Sequence, residues 1–209
     1  MSIGILGNKI GMTQIFDTSG EVIPVTIIKG GPCYVTQIKS NENCGYNSVQ
    51  LGYLEVAENC KNLTKPKLGH FTKNNLPPYR YLKEYKTDEI QDLSLGQEFG
   101  VDLFEIGDSI NITGFTIGKG NTSKFKLHGH HTGLMSHGGK SKRLQGSMGS
   151  GTTPGRVFKG QEMPRRSGME KRTIKGLKIV DIDKSQNLIV VKGSIPGKPG
   201  NLVSMRSGI

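Results

Sequence analysis

The chain predicts a mainly β fold, a small barrel or sandwich of short strands, interrupted by one long basic loop that cannot build a core. Three observations lead there. Short runs rich in Val, Ile and Thr, separated by turn residues, fill both ends of the chain. Between them, residues 118–178 hold fourteen of the 28 Lys and Arg, thirteen of the 30 glycines and two acids. Over 118–163, nine of forty-six residues are hydrophobic.

In order, the apolar runs at 3–6, 23–28, 34–38 and 48–53 read as strands, with tight turns at 17–20 and 29–32. Residues 58–100 differ. Lys65, Lys67, Lys73, the Pro77-Pro78 pair and the mixed-charge run RYLKEY at 80–85 predict an appended lobe with little regular structure and one short helix. Strand character returns over 104–117, around Gly107 and Asp108. After the basic segment, 174–182, 187–192 and 201–205 supply three more strands, with 183–187 as a hairpin loop. Strands on both sides of a non-folding insert predict one β body, 1–117 with 174–209, carrying an extension at 118–173. No internal repeat is present.

The charge is local. The chain carries net +11, but 118–178 carries +12 and the remaining residues, with 14 bases against 15 acids, about −1. Ordering a residue costs roughly 1–2 kcal/mol of backbone entropy, and this segment has little apolar area to offset it. A polyanion can supply the difference, because each neutralised phosphate releases counterions. A solvated basic tail is the alternative on composition. The internal position of the segment and the strands that follow argue against it.

Several function classes lack their residues. No stretch approaches the roughly 18 apolar residues of a spanning helix, so no membrane partner is expected. The N-terminus has neither a secretory pattern nor an Arg/Ser-rich leader, so synthesis in the working compartment is expected. Cys33, Cys44 and Cys60 match no metal or disulfide spacing and are expected to be reduced. GLMSHGGKS at 133–141 resembles a phosphate-binding loop, but Leu134 stands where its first glycine is required, and no strand precedes it. GSGTTPG at 149–155 has the wrong spacing for a dinucleotide fingerprint. His128, His130, His131 and His137 have no Cys, Asp or Glu among them, which disfavours a metal. With so few acids, neither a Ser/His/Asp set nor a carboxylate pair can be assembled. No enzyme, cofactor, metal or small-molecule substrate is expected.

Folded RNA suits the segment. Glycine lets the backbone approach phosphates and offers amide donors. Arg supplies bidentate contact and stacking, and Lys supplies point charges. Aromatics make up 6% of the chain and are not paired, so recognition by shape and backbone is favoured over a base-stacking platform.

Five motifs in order carry a resemblance: SIGILG at 2–7 with KIGMTQIF at 9–16, GSMG at 146–149, TTPGRVFKG at 152–160 and KGSIPG at 192–197. Together they resemble the bacterial-type large-subunit ribosomal proteins of the universal L-three family, from the first residue to about Val203. Met1-Ser2-Ile3, Gly31-Pro32-Cys33, YLKEY at 81–85 and PGKPG at 196–200 are similar to its cyanobacterial and plastid branch. That implies a plastid stroma, or else a bacterial cytoplasm.

The resemblance implies a six-stranded barrel of the translation-protein type, with an extension threaded into large-subunit rRNA. It implies binding near the 3′ end of that RNA, early action in assembly, a loop tip near the peptidyl transferase centre, and neighbouring large-subunit proteins as further partners. The tip falls on Gly149, Ser150, Gly151 and Thr152, with Pro154 and Gly155 shaping the turn. The resemblance places Arg156 and Lys159 as phosphate contacts beside the tip, and the charge of the segment adds Lys119, Lys124, Lys126, His137, Lys140, Lys142, Arg143, Arg165 and Arg166 as expected rRNA contacts. For Lys9, contact with RNA and a structural role in the barrel are both open. GKGNTS at 118–123 and MPRRSGM at 163–169 depart from the family pattern, with Arg165, Ser167 and Met169 replacing Gly, Met and Asn. Thr152 stands where some bacterial members carry a methylated Gln, so no methylation is expected. A dissociable basic assembly factor is the alternative reading of the same charge.

Overall fold

The computed structural model describes residues 3–57, 63–87 and 93–208. Met1, Ser2 of the N-terminal motif, Cys60 and the lobe segments 58–62 and 88–92 lie outside the described residues. In chain order the elements are β1 (Ile5–Phe16), β2 (Val22–Gly30), β3 (Cys33–Lys39), α1 (Asn41–Cys44), β4 (Ser48–Glu55), α2 (Lys65–Thr72), β5 (Tyr79–Lys86) and β6 (Glu98–Phe99). A 3-10 turn at Val101–Leu103 leads to β7 (Ser109–Phe115), β8 (Gly120–Thr122), α3 (Lys124–His128), β9 (Arg165–Ser167), β10 (Lys171–Asp183), β11 (Leu188–Lys192) and β12 (Leu202–Ser207). The fold is mainly β.

Six strands form a closed barrel in the order β1-β12-β7-β10-β11-β2. Each ladder is antiparallel, and β1 carries a bulge between Lys9 and Gly11 in its pairing with β2. Gly7 is a residue this geometry demands: a Cβ there would lie 2.6 Å from the Lys29 carbonyl oxygen. The turns at 17–20 and 183–187 form as their residues dictate. The Gly20 amide donates to the Asp17 carbonyl at 2.9 Å, and the Asp183 carboxylate accepts from the Ser185 amide at 2.9 Å.

A second sheet, in the order β5-β4-β3-β6, packs on the barrel. One apolar cluster joins them, with Ile5, Ile28, Ile110, Ile112, Ile189 and Met205 from the barrel and Val35, Leu51, Tyr53 and Tyr85 from the second sheet. The Tyr53 hydroxyl donates to the Lys29 carbonyl at 3.2 Å. Cys33 is fully buried there, and burial pushes its thiol up to about 12.

The lobe corrects one expectation. RYLKEY at 80–85 is not irregular but forms most of β5, paired in register with β4 from Ser48↔Lys86 to Glu55↔Tyr79. Its charges suit an edge strand, since β5 has one neighbour, with Arg80 and Lys86 exposed and Lys83 and Glu84 half-buried. The expected short helix of the lobe is α2, which buries Phe71.

The chain divides into two compact units, Met1–Thr116 with Lys171–Ile209, and Ile117–Glu170. The first holds the barrel and the second sheet. The second holds β8, α3 and β9 and is otherwise irregular.

Candidate nucleic-acid interface

The unit Ile117–Glu170 is built from the stem outward. β8 and β9 pair as Gly120↔Ser167, Asn121↔Arg166 and Thr122↔Arg165, and the Lys119 amide donates to the Ser167 carbonyl at 2.9 Å. Gly168 turns the chain out of β9 at φ 74°, and a Cβ there would fall 2.1 Å from the Ile117 carbonyl oxygen. No other residue fits that position. Beyond the stem, Ser123 opens α3 and accepts the Lys126 and Leu127 amides at 3.1 Å, and Gly129 closes it in the left-handed region.

Polar pins hold the rest. The Lys124 ammonium donates to the Gln145 carbonyl. The Glu162 carboxylate pairs with His130, and His128 Nδ1 lies 3.7 Å from its other oxygen. The Gly133 amide donates to the Lys142 carbonyl at 3.0 Å. The unit contributes no member to the hydrophobic core. Leu134 and Met135 stand 75% and 77% exposed and Phe158 62%, so apolar burial does not stabilise this tract.

The cations face outward. Lys119, Lys126, His137, Lys140, Arg143, Arg156, Lys159, Arg165 and Arg166 are exposed, and Lys124 and Lys142 are half-buried. The unit's acids are Glu162 and Glu170, the first paired with histidines, so two carboxylates stand against ten Lys and Arg. Arg156 lies 5.8 Å from the Phe158 ring centroid, a cation–π contact that uses none of its N–H donors.

All the expected tip residues are exposed. Gly149, Gly151 and Gly155 adopt φ of 154°, 92° and 67°, conformations open to glycine and rarely to other residues. The Gly155 amide donates to the Gly151 carbonyl at 3.1 Å, closing a turn around Thr152, Thr153 and Pro154. Ser147 Oγ accepts the Gly149 amide at 3.4 Å, and Ser150 is exposed.

Lys9 stands apart from these residues. It lies on β1, 8% exposed, and its ammonium donates to the carbonyls of Ile195 and Gly197, at 3.0 Å each. Burial holds its pKa below the usual lysine range. Of the two roles left open for it, the geometry favours the structural one, tying the segment 195–197 to the barrel. Sequence reasoning also passed over Lys83 on β5, which lines one cleft with Lys171, and Arg206 on β12, whose guanidinium lies near the same Tyr85 ring as the Lys83 ammonium. Nothing in the spacing of 83, 171 and 206 signals that meeting. Among the described residues no group of three or more His, Cys, Asp or Glu is arranged to hold a metal, and no helix is long and apolar enough to cross a membrane.

With this geometry in place, similarity to known proteins adds the class of assembly. Residues 84–188 match the family described as Ribosomal protein L3. The chain is 54% identical over 205 residues to large ribosomal subunit protein uL3 of Synechococcus elongatus, covering 98% of this chain and 95% of that one. It is 50% identical to large ribosomal subunit protein uL3c of Phaeodactylum tricornutum, covering 98% of each, and 50% identical to uL3c of Cyanophora paradoxa, covering 98% and 97%.

Proposed function

The chain belongs to the ribosomal protein L3 family, and from that premise we propose that it is a structural constituent of the large ribosomal subunit whose Ile117–Glu170 unit is held within large-subunit rRNA. The family is structural and not enzymatic, and the relatives in cyanobacteria and plastids fit a bacterial cytoplasm or a plastid stroma. One observation carries the reading of the extension. It is a compact unit with outward-facing cations, exposed apolar residues and no share in the hydrophobic core. Such a unit is stabilised by the partner that neutralises it.

In this reading the six-stranded barrel is of the translation-protein type and serves as the anchor. The stem cations Lys119, Arg165 and Arg166 meet phosphates first. Lys124, Lys126, His137, Lys140, Lys142, Arg143, Arg156 and Lys159 line the path, and the turn from Gly149 to Gly155 supports the peptidyl transferase region. Binding takes place near the 3′ end of the rRNA and early in assembly. Peptide-bond chemistry belongs to the RNA, and the protein supplies shape and charge.

The test is retention. Purified ribosomes washed in high salt are expected to keep the chain on the large subunit at one copy per particle. Release, or association confined to precursor particles, would make it a dissociable assembly factor instead.

A further inference from the structure

A second cationic site lies on the barrel, outside the extension. An open cleft of about 250 Å³ runs between β5 and the barrel, walled by Leu82, Phe115, Leu202 and Val203, with Lys83 and Lys171 at its edge. Arg206 joins them around Tyr85: its guanidinium lies 4.6 Å from the Tyr85 ring centroid, and the Lys83 ammonium 5.6 Å. None of the three cations forms an ion pair with a carboxylate of the described residues.

Three like charges gathered without a counter-ion are mutually destabilising. Burial and the charges of Lys171 and Arg206 push the Lys83 ammonium down to about 8. An arrangement that costs stability in the free chain fits a site completed by an anion. The apolar walls define the rest of the ligand. They are mostly apolar, with Thr113 and Ser204 as the uncharged polar side chains among them. Phe115, 50% exposed, and the leucines offer flat apolar contact, which a nucleobase satisfies through its π-face without hydrogen bonds. The size suits one base with its sugar and excludes a duplex.

We propose that this cleft takes a single nucleotide extruded from the rRNA, its base against Leu82, Phe115 and Leu202 and its phosphate on Lys83 and Lys171, the cations that line it. The inference rests on the reading that the chain is held in RNA, and it adds a point anchor on the barrel to the distributed contacts of the extension. An acidic segment of a neighbouring protein is the competing occupant.

The test uses intact large subunits carrying the full chain with Phe115→p-benzoylphenylalanine. After irradiation, a crosslink confined to one rRNA position is expected. Adding Lys83→Met is expected to lower that crosslink at least tenfold (~1.4 kcal/mol), and Lys83→Arg to retain it. A crosslink to protein, no crosslink, or a yield unaffected by Lys83→Met overturns the proposal. With the chain present at one copy per particle, those outcomes sink the cleft alone. Absence of the chain from the particle sinks the functional reading with it.

Discussion

The hydroxyl of Tyr85 lies 2.8 Å from Ser204 Oγ, joining the edge strand of the second sheet to a barrel strand more than a hundred residues away in the chain. The same hydroxyl donates to the Ile5 carbonyl at 3.3 Å, so one buried ring ties β5 to both β12 and β1. Tyr85→Phe keeps the ring and strands two buried polar partners. A loss of about 1–3 kcal/mol is expected, read as a lowered urea midpoint with an unchanged m-value. An unchanged midpoint would mean that the second sheet is held by apolar packing alone.

Lys9 provides a comparable tie four residues further along β1. Lys9→Met retains the aliphatic stem and removes the donor from the carbonyls of Ile195 and Gly197, for a loss of about 1.5–3 kcal/mol. The slope of log K against log salt for rRNA binding is expected to stay the same, because no phosphate contact is lost. A slope reduced by about one would return Lys9 to the RNA-contacting set.

These two ties show where sequence reasoning reaches. The strand runs at 23–28, 34–38, 48–53 and 187–192 were legible because Val, Ile and Thr alternate with turn residues there, and local pattern decides local structure. β5 was not legible, since an edge strand exposes its polar side chains and its charges hide the period. Nor was the meeting of Tyr85 with Ser204, or of Lys83 with Arg206, which depends on how β5 docks on the barrel. The basic extension was legible as charge. Its stem was not, because pairing Asn121 with Arg166 joins residues separated by an irregular tract of no repeating pattern.

Lys83 gives a pH signature. Its folded pKa of about 8 lies below its ordinary value of 10.5, so between those values the unfolded chain holds a proton that the folded chain has released. Stability contributed by this group therefore rises with pH across that window. Cys33 acts in the opposite sense above its ordinary value of 9.0, since burial keeps its thiol protonated to about 12. The useful measurement is thus the difference in thermal midpoint between wild type and Lys83→Met. The variant is expected to be the more stable near pH 7, with the gap narrowing as pH rises to about 9.5. A gap independent of pH would mean that burial and the charges of Lys171 and Arg206 do not depress the Lys83 ammonium.

Deleting 121–163 removes most of the Ile117–Glu170 unit and none of the hydrophobic core. The truncated chain is expected to keep its circular dichroism and cooperative unfolding while losing most of its rRNA affinity. Its salt slope should fall by about 0.9 for each phosphate contact removed from duplex-like RNA. Equal affinity with an equal slope would place the binding energy on the barrel and overturn the role given to the extension.

Arg156 separates charge from geometry within that extension. Its guanidinium is braced at 5.8 Å by the Phe158 ring, and its neighbours Thr152, Thr153 and Pro154 are closed into a turn by the Gly155 amide. Arg156→Ala removes both the charge and the fork, so binding is expected to weaken by about 1.5–3 kcal/mol, with the salt slope reduced by about one. Arg156→Lys keeps the charge, and the slope with it, but a point ammonium cannot make the bidentate contact. An affinity between those of wild type and Arg156→Ala is therefore expected for the lysine variant. If lysine binds as tightly as arginine, the tip is held by charge alone and the brace by Phe158 has no part in recognition.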